Sequence, residues 1–117
     1  MSDKNPIVTL NVGGQLFNTR LETLGNRGRN ELYKIYSGET KPEKDGTYFI
    51  DRDPKLFHYI LNYMRDGRII FPKKDLITMQ ISQEVGALGL EELSKNPEVL
   101  PGGAAENIMI TIFSNTI

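Results

Sequence analysis

The segment from Asp53 to Gly67 constrains this chain more than any other, because both of its ends are written in the sequence. Asp53-Pro54 joins an acidic N-cap, whose carboxylate can accept from orphan backbone N–H groups, to a proline at the first helical position, where its missing N–H costs nothing. Leu56, Phe57, Ile60, Leu61 and Met64 then fall on one face at i, i+1, i+4, i+5 and i+8. Gly67, after Arg65 and Asp66, supplies a C-terminal cap. The pattern predicts an amphipathic helix with defined ends.

Upstream, Ile7-Val8-Thr9-Leu10-Asn11-Val12 alternates and is rich in β-branched residues, and Gln15-Leu16-Phe17-Asn18-Thr19 follows Gly13-Gly14. Two glycines between strand-like runs predict a hairpin whose turn needs positive φ. Thr19-Arg20-Leu21-Glu22 has the form of a capping box, which predicts a short helix through Leu24. After the interruption at Gly25-Asn26-Arg27-Gly28-Arg29, the spacing in Asn30 to Tyr36 predicts a second helix ended by Ser37-Gly38. Residues 39–46 are polar and turn-rich, and Thr47-Tyr48-Phe49-Ile50 is expected as a buried strand. Beyond Gly67, residues 68–72 read as a short strand or extended arm. Asp75 is expected to cap a helix carrying Leu76, Ile77, Ile81 and Val85, with one further turn over residues 91–95.

With 117 residues the chain is one ordinary domain, long enough to bury roughly two-thirds of its unfolded surface without covalent staples. The domain is expected over 1–95. Two prolines and two glycines make 96–106 a linker, and 107–117 is a strand-like run that starts a further domain or pairs with a sheet, such as that of a neighbouring subunit. Lys+Arg 14 against Asp+Glu 15 gives a formal charge of −1, without the basic excess expected of a chain that grips nucleic-acid phosphates. Zero Cys excludes disulfides, thiol nucleophiles and thiolate metal sites, and one His excludes a multi-histidine site. No stretch approaches the roughly 18–20 consecutive apolar residues of a membrane span, and Met1 to Asn5 lack a signal-peptide layout. A soluble, cytoplasmic chain is expected.

Few residues invite chemistry. Gly13-Gly14 lacks both the Gly-x-Gly-x-x-Gly context and the Lys of a phosphate loop, so the turn accounts for it and no cofactor is expected. Asp51-Arg52-Asp53 sets two carboxylates two residues apart, an arrangement that could do acid–base work or hold a cation. Helix capping explains Asp53, however, and ion pairing explains Asp51 and Arg52, so no metal site is expected. His58 stands one residue off the apolar stripe with no nucleophile elbow in the chain. The pairs Lys73-Lys74, Arg27/Arg29 and Arg65/Arg68 read as solvated faces, and the aromatics mostly occupy core positions. No set of nucleophile, base and orienting group is found, so no catalytic residue is expected.

Four motifs in order carry a resemblance: Val8 to Thr19, Thr23-Leu24, Tyr48-Phe49-Ile50-Asp51-Arg52-Asp53-Pro54, and Ile60-Leu61-Asn62-Tyr63-Met64-Arg65-Asp66-Gly67. Over about residues 6 to 95 the chain resembles the tetramerisation-type branch of the BTB/POZ domains. That fold is shared by the T1 domains of voltage-gated potassium channels and the potassium-channel-tetramerisation-domain (KCTD) proteins, and the wording is more similar to the KCTD proteins. The resemblance implies an α/β (α+β) fold, a small sheet flanked by helices, whose role is non-enzymatic self-association into a ring of four or five subunits.

The resemblance also implies polar subunit contacts, with Asp51, Arg52 and Asp53 matching the family's Asp-Arg-Asp stretch at the interface. It implies a cullin scaffold and a client protein as partners, since many KCTD proteins are substrate adaptors of cullin-RING ubiquitin ligases. Ala87 and Leu88 stand where aromatic residues are common in that family, which removes an aromatic anchor from such a surface. The zinc site of one channel branch needs Cys, which this chain lacks. The alternatives are the cytoplasmic tetramerisation domain of a voltage-gated potassium channel, which would need membrane spans downstream, and a nucleic-acid role, which the near-zero charge disfavours.

Overall fold

The computed structural model of the chain describes residues 4–69 and 75–90. Two strands, β1 (Ile7–Val12) and β2 (Gln15–Arg20), form the expected antiparallel hairpin, in register from Ile7 opposite Arg20 to Val12 opposite Gln15. Gly13 and Gly14 turn the chain with φ of 55° and 104°, a backbone that side chains resist. The Asn11 side-chain oxygen accepts from the Gly14 N–H at 2.8 Å and closes the turn. The third strand, β3 (Tyr48–Ile50), lies parallel to β1, so the sheet runs β2-β1-β3. The sheet and its helices make the fold a mixed α/β one, as the sequence predicts.

The described residues hold three α-helices: α1 (Glu31–Tyr36), α2 (Phe57–Asp66) and α3 (Asp75–Ala87). The Asp53 side chain accepts from the Lys55 N–H and opens a 3₁₀ turn, Pro54–Leu56, that leads into α2, and Gly67 closes α2 at φ 84°. A loop caps the same end from outside, since Arg27 Nε donates to the Tyr63 carbonyl at 3.3 Å and Asn26 Nδ2 to that of Met64 at 3.4 Å. A cationic side chain at a helix C-terminus also suits the negative end of the helix dipole.

One apolar core joins these layers. Leu10 and Val12 from β1, Leu32 and Ile35 from α1, Phe57, Ile60, Leu61 and Met64 from α2, and Ile81 and Val85 from α3 are all buried, with Leu24 from the turn that follows β2. Phe17 packs edge-on against Phe57, ring centroids 5.0 Å apart. The α2 stripe read from the sequence is therefore core, with Tyr63 added and Leu56 at its margin.

Three expectations need correction. Thr19 belongs to β2 opposite Val8 rather than to a capping box, and the turn over Leu21–Gly25 is 3₁₀ with no side-chain cap from its own segment. Asn5 supplies that cap from across the sheet, its Oδ1 accepting from the Glu22 N–H at 2.8 Å. β3 is not a buried strand: Phe49 is 49% exposed, and Tyr48 and Ile50 are only half-buried. Leu76 is 67% exposed, so the apolar face of α3 is Ile77, Ile81 and Val85 without it. Arg68 is exposed and Ile69 buried, while residues 70–72 of the expected strand, the further turn at 91–95, the linker 96–106 and the strand 107–117 lie outside the described residues.

Candidate functional site

The sequence points to Asp51, Arg52 and Asp53, and the fold holds them on a rigid corner. The hairpin turn and the end of β3 meet there, the Ile50 carbonyl accepting from the N–H of Gly13 at 3.0 Å and of Arg52 at 2.9 Å. The contact is close enough that a Cβ on Gly13 would lie 2.4 Å from the Arg52 carbonyl oxygen and 3.1 Å from the Pro54 ring. Proline and the Asp53 cap then fix where the chain leaves the corner.

The three charged side chains divide by role. Arg52 turns inward along α3 and donates bidentately to Glu84, Nε to Oε1 at 2.9 Å and Nη2 to Oε2 at 2.5 Å. Glu84 is only 7% exposed, so its carboxylate depends on this fork-to-fork pairing for satisfaction. The hydrogen bond to Glu84 raises the already high pKa of Arg52, and the charges of Glu84, Asp51 and Asp53 add to it, so the guanidinium stays charged. Asp51 and Asp53 are exposed. Asp53 is committed through one oxygen to its cap, and Asp51 makes no side-chain hydrogen bond among the described residues.

A groove of about 240 Å³ runs beside this corner, with Ile35, Phe49, Ala87 and Leu88 among its walls and Glu31 and Asp51 at its rim. Leu88, one of the two residues that stand at family aromatic positions, is buried in the core, while Ala87 is exposed. The Leu88 carbonyl accepts from the Glu31 N–H at 3.0 Å and ties the end of α3 to the start of α1. His58 lies exposed outside the corner, its ring 4.1 Å from that of Tyr59. Among the described residues no three His, Asp or Glu side chains converge as a cation site would require.

Sequence reasoning assigned no role to Glu84. A signal was present: with Ile81 and Val85 inward, position 84 shares their face, and a carboxylate there demands a partner.

The profile of the BTB/POZ domain family matches residues 8–96. The chain belongs to the BTB/POZ domain family. Human BTB/POZ domain-containing protein KCTD21 is 36% identical over 120 residues, covering 92% of this chain and 44% of that protein. Bovine BTB/POZ domain-containing protein KCTD5 is 35% identical over 92 residues, covering 75% and 39%, and bovine potassium channel regulatory protein is 41% identical over 68 residues, covering 56% and 26%. The chain thus spans less than half the length of these relatives. As a BTB/POZ domain it is of a kind that serves protein association and is generally non-enzymatic. Among the described residues no helix is long and apolar enough to cross a membrane.

Proposed function

We propose that this BTB/POZ domain is a non-enzymatic, cytoplasmic homo-oligomerisation module of KCTD type, assembling a ring of four or five copies through contacts that include Asp51, Arg52 and Asp53. In this reading residues 1–95 are the association domain, 96–106 a linker, and 107–117 lead to whatever recognises a client. The observation that carries the proposal is the charged corner itself. Two exposed carboxylates sit on backbone locked by Gly13, by the Asp53 cap and by the Arg52–Glu84 fork. Preorganised charges of this kind set partner choice and register more than raw affinity.

The finer roles are a substrate adaptor for a cullin-RING ubiquitin ligase, for which the groove beside the corner offers apolar walls, or a channel assembly domain. The second draws on the identity with potassium channel regulatory protein and requires membrane spans elsewhere in its parent chain.

Light scattering across a dilution series tests the central claim. A mass four or five times the 13.2 kDa of the chain, held to low micromolar concentration, is expected. A monomer at every concentration overturns it. Arg52→Glu is a poor probe, because it would face the nearly buried Glu84 with a second carboxylate and damage the fold itself.

A further inference from the structure

We propose that residues 107–117 add as a fourth strand to the open β3 edge of their own chain. The inference stands apart from the self-association reading, since it needs only a single copy, and it decides between the two fates that the sequence leaves open for this segment. Its receiving half is the backbone of Phe49. The Gly13 N–H donates to the Ile50 carbonyl, and bonds alternate along a parallel ladder, so Tyr48 and Ile50 face β1 while the N–H and C=O of Phe49 point away from it. Neither of those two groups is bonded among the described residues.

The opposite edge of the sheet is already occupied. Arg65 reaches over from α2, Nη2 donating to the Asn18 carbonyl at 3.1 Å, and so takes a β2 acceptor that an added strand would need. The β3 edge, by contrast, offers apolar neighbours to both faces of an incoming strand. Tyr48 and Ile50 pack against the core on one side, and Phe49, 49% exposed, stands on the other. A bare edge of this kind is a template for an extended segment.

The chain itself supplies that segment. Residues 107–117 carry no charged side chain, and Ile108, Ile110 and Ile112 alternate with Met109, Thr111 and Phe113, so both faces of the run are largely apolar. A neutral, β-branched run and a bare edge each invite aggregation, and pairing the two removes both hazards. The tether starts in the right place. Leu88 and Phe49 line the same groove of about 240 Å³. Leu90, buried and held by its N–H on the Val85 carbonyl at 3.0 Å, stands two residues beyond Leu88, within about 7 Å of it. Residues 91–106 reach up to about 50 Å when extended, and a flexible tether of that length sets a local concentration on the order of millimolar. A competing peptide must match that concentration to take the edge.

Two measurements on the whole chain test the pairing. The Phe49 amide is expected to exchange with solvent at least tenfold more slowly in the wild-type chain than in Thr111→Pro, because proline removes a ladder donor and fixes φ. Thr111→Ser is the control and keeps the slow exchange. Equal exchange in the wild type and the proline variant overturns the proposal. Because the chain has no Cys, Ser114→Cys accepts a single nitroxide. A trace of isotope-labelled chain that carries the nitroxide, diluted into plain chain, is expected to show broadened amide resonances at Phe49 and Asp51, and that broadening can come only from its own segment. Sharp resonances in that sample sink the same-chain pairing. Broadening that arises only when the nitroxide sits on the other chain assigns the segment to a neighbouring copy, and is equally fatal to it.

Discussion

At Gly13 the chain has no room for a side chain. Its φ of 55° is a region that other residues enter at a cost, and the added Cβ would meet a backbone carbonyl 2.4 Å away rather than a side chain able to move. Gly13→Ala is therefore expected to destabilise the domain by about 2 kcal/mol or more, and to loosen the corner that carries Asp51. Gly86 offers the control. It lies inside α3 with nothing within 4 Å of an added Cβ and without positive φ, so Gly86→Ala is expected to stabilise by about 0.5–1 kcal/mol. Urea unfolding of the two variants measures both. Equal effects would mean that the hairpin turn does not press on the Arg52 backbone as described. Arg52 shows the same logic in a charged residue. Its exposed neighbours Asp51 and Asp53 are available to a partner, while its own guanidinium is spent on Glu84, so the three residues of one motif do different work.

Short elements here depend on caps and on packing rather than on propensity. The six residues of α1 are too few to be helical alone, and Asn30 compensates from a buried position. Its Oδ1 accepts from the Leu32 and Tyr33 N–H groups, and its Nδ2 donates to the carbonyls of Arg27 and Gly28. Asn30→Ala is expected to lose about 1–2 kcal/mol, and Asn30→Asp at least as much, since it keeps the cap but turns a buried carboxylate oxygen toward the carbonyls of Arg27 and Gly28. Thermal unfolding checks both, and an Asp variant as stable as wild type would remove the two donated bonds from the explanation. Elements whose signals are local were legible in the sequence: the Gly13-Gly14 hairpin, and α2 from the Asp53 cap to Gly67. Those decided by distant partners were not. Thr19 was claimed by pairing with Val8 and the Glu22 N–H by Asn5, so a locally correct capping motif never formed. The exposure of Phe49 and Leu76 depends on which faces other elements cover, which residue type does not state. The candidate site divides in the same way: its acidic half is one contiguous motif, while Glu84 joins it from 32 residues away.

For the whole molecule, the number of subunits is a matter of closure angle, and the mass of the assembled ring reads it. In the self-association reading Asp51 stands at every contact between neighbouring copies, so a change of charge there is repeated once per subunit and its effect is multiplied by the size of the ring. Asp51 is exposed and makes no side-chain hydrogen bond among the described residues, so Asp51→Arg is expected to keep the fold while the concentration at which the ring dissociates moves tenfold or more. Native mass spectrometry of the wild-type chain counts the copies as four or five times 13.2 kDa. A variant with the wild-type mass and the wild-type dilution midpoint would remove the acidic corner from the interface, and would return the choice of surface to the groove beside Phe49 and Ala87.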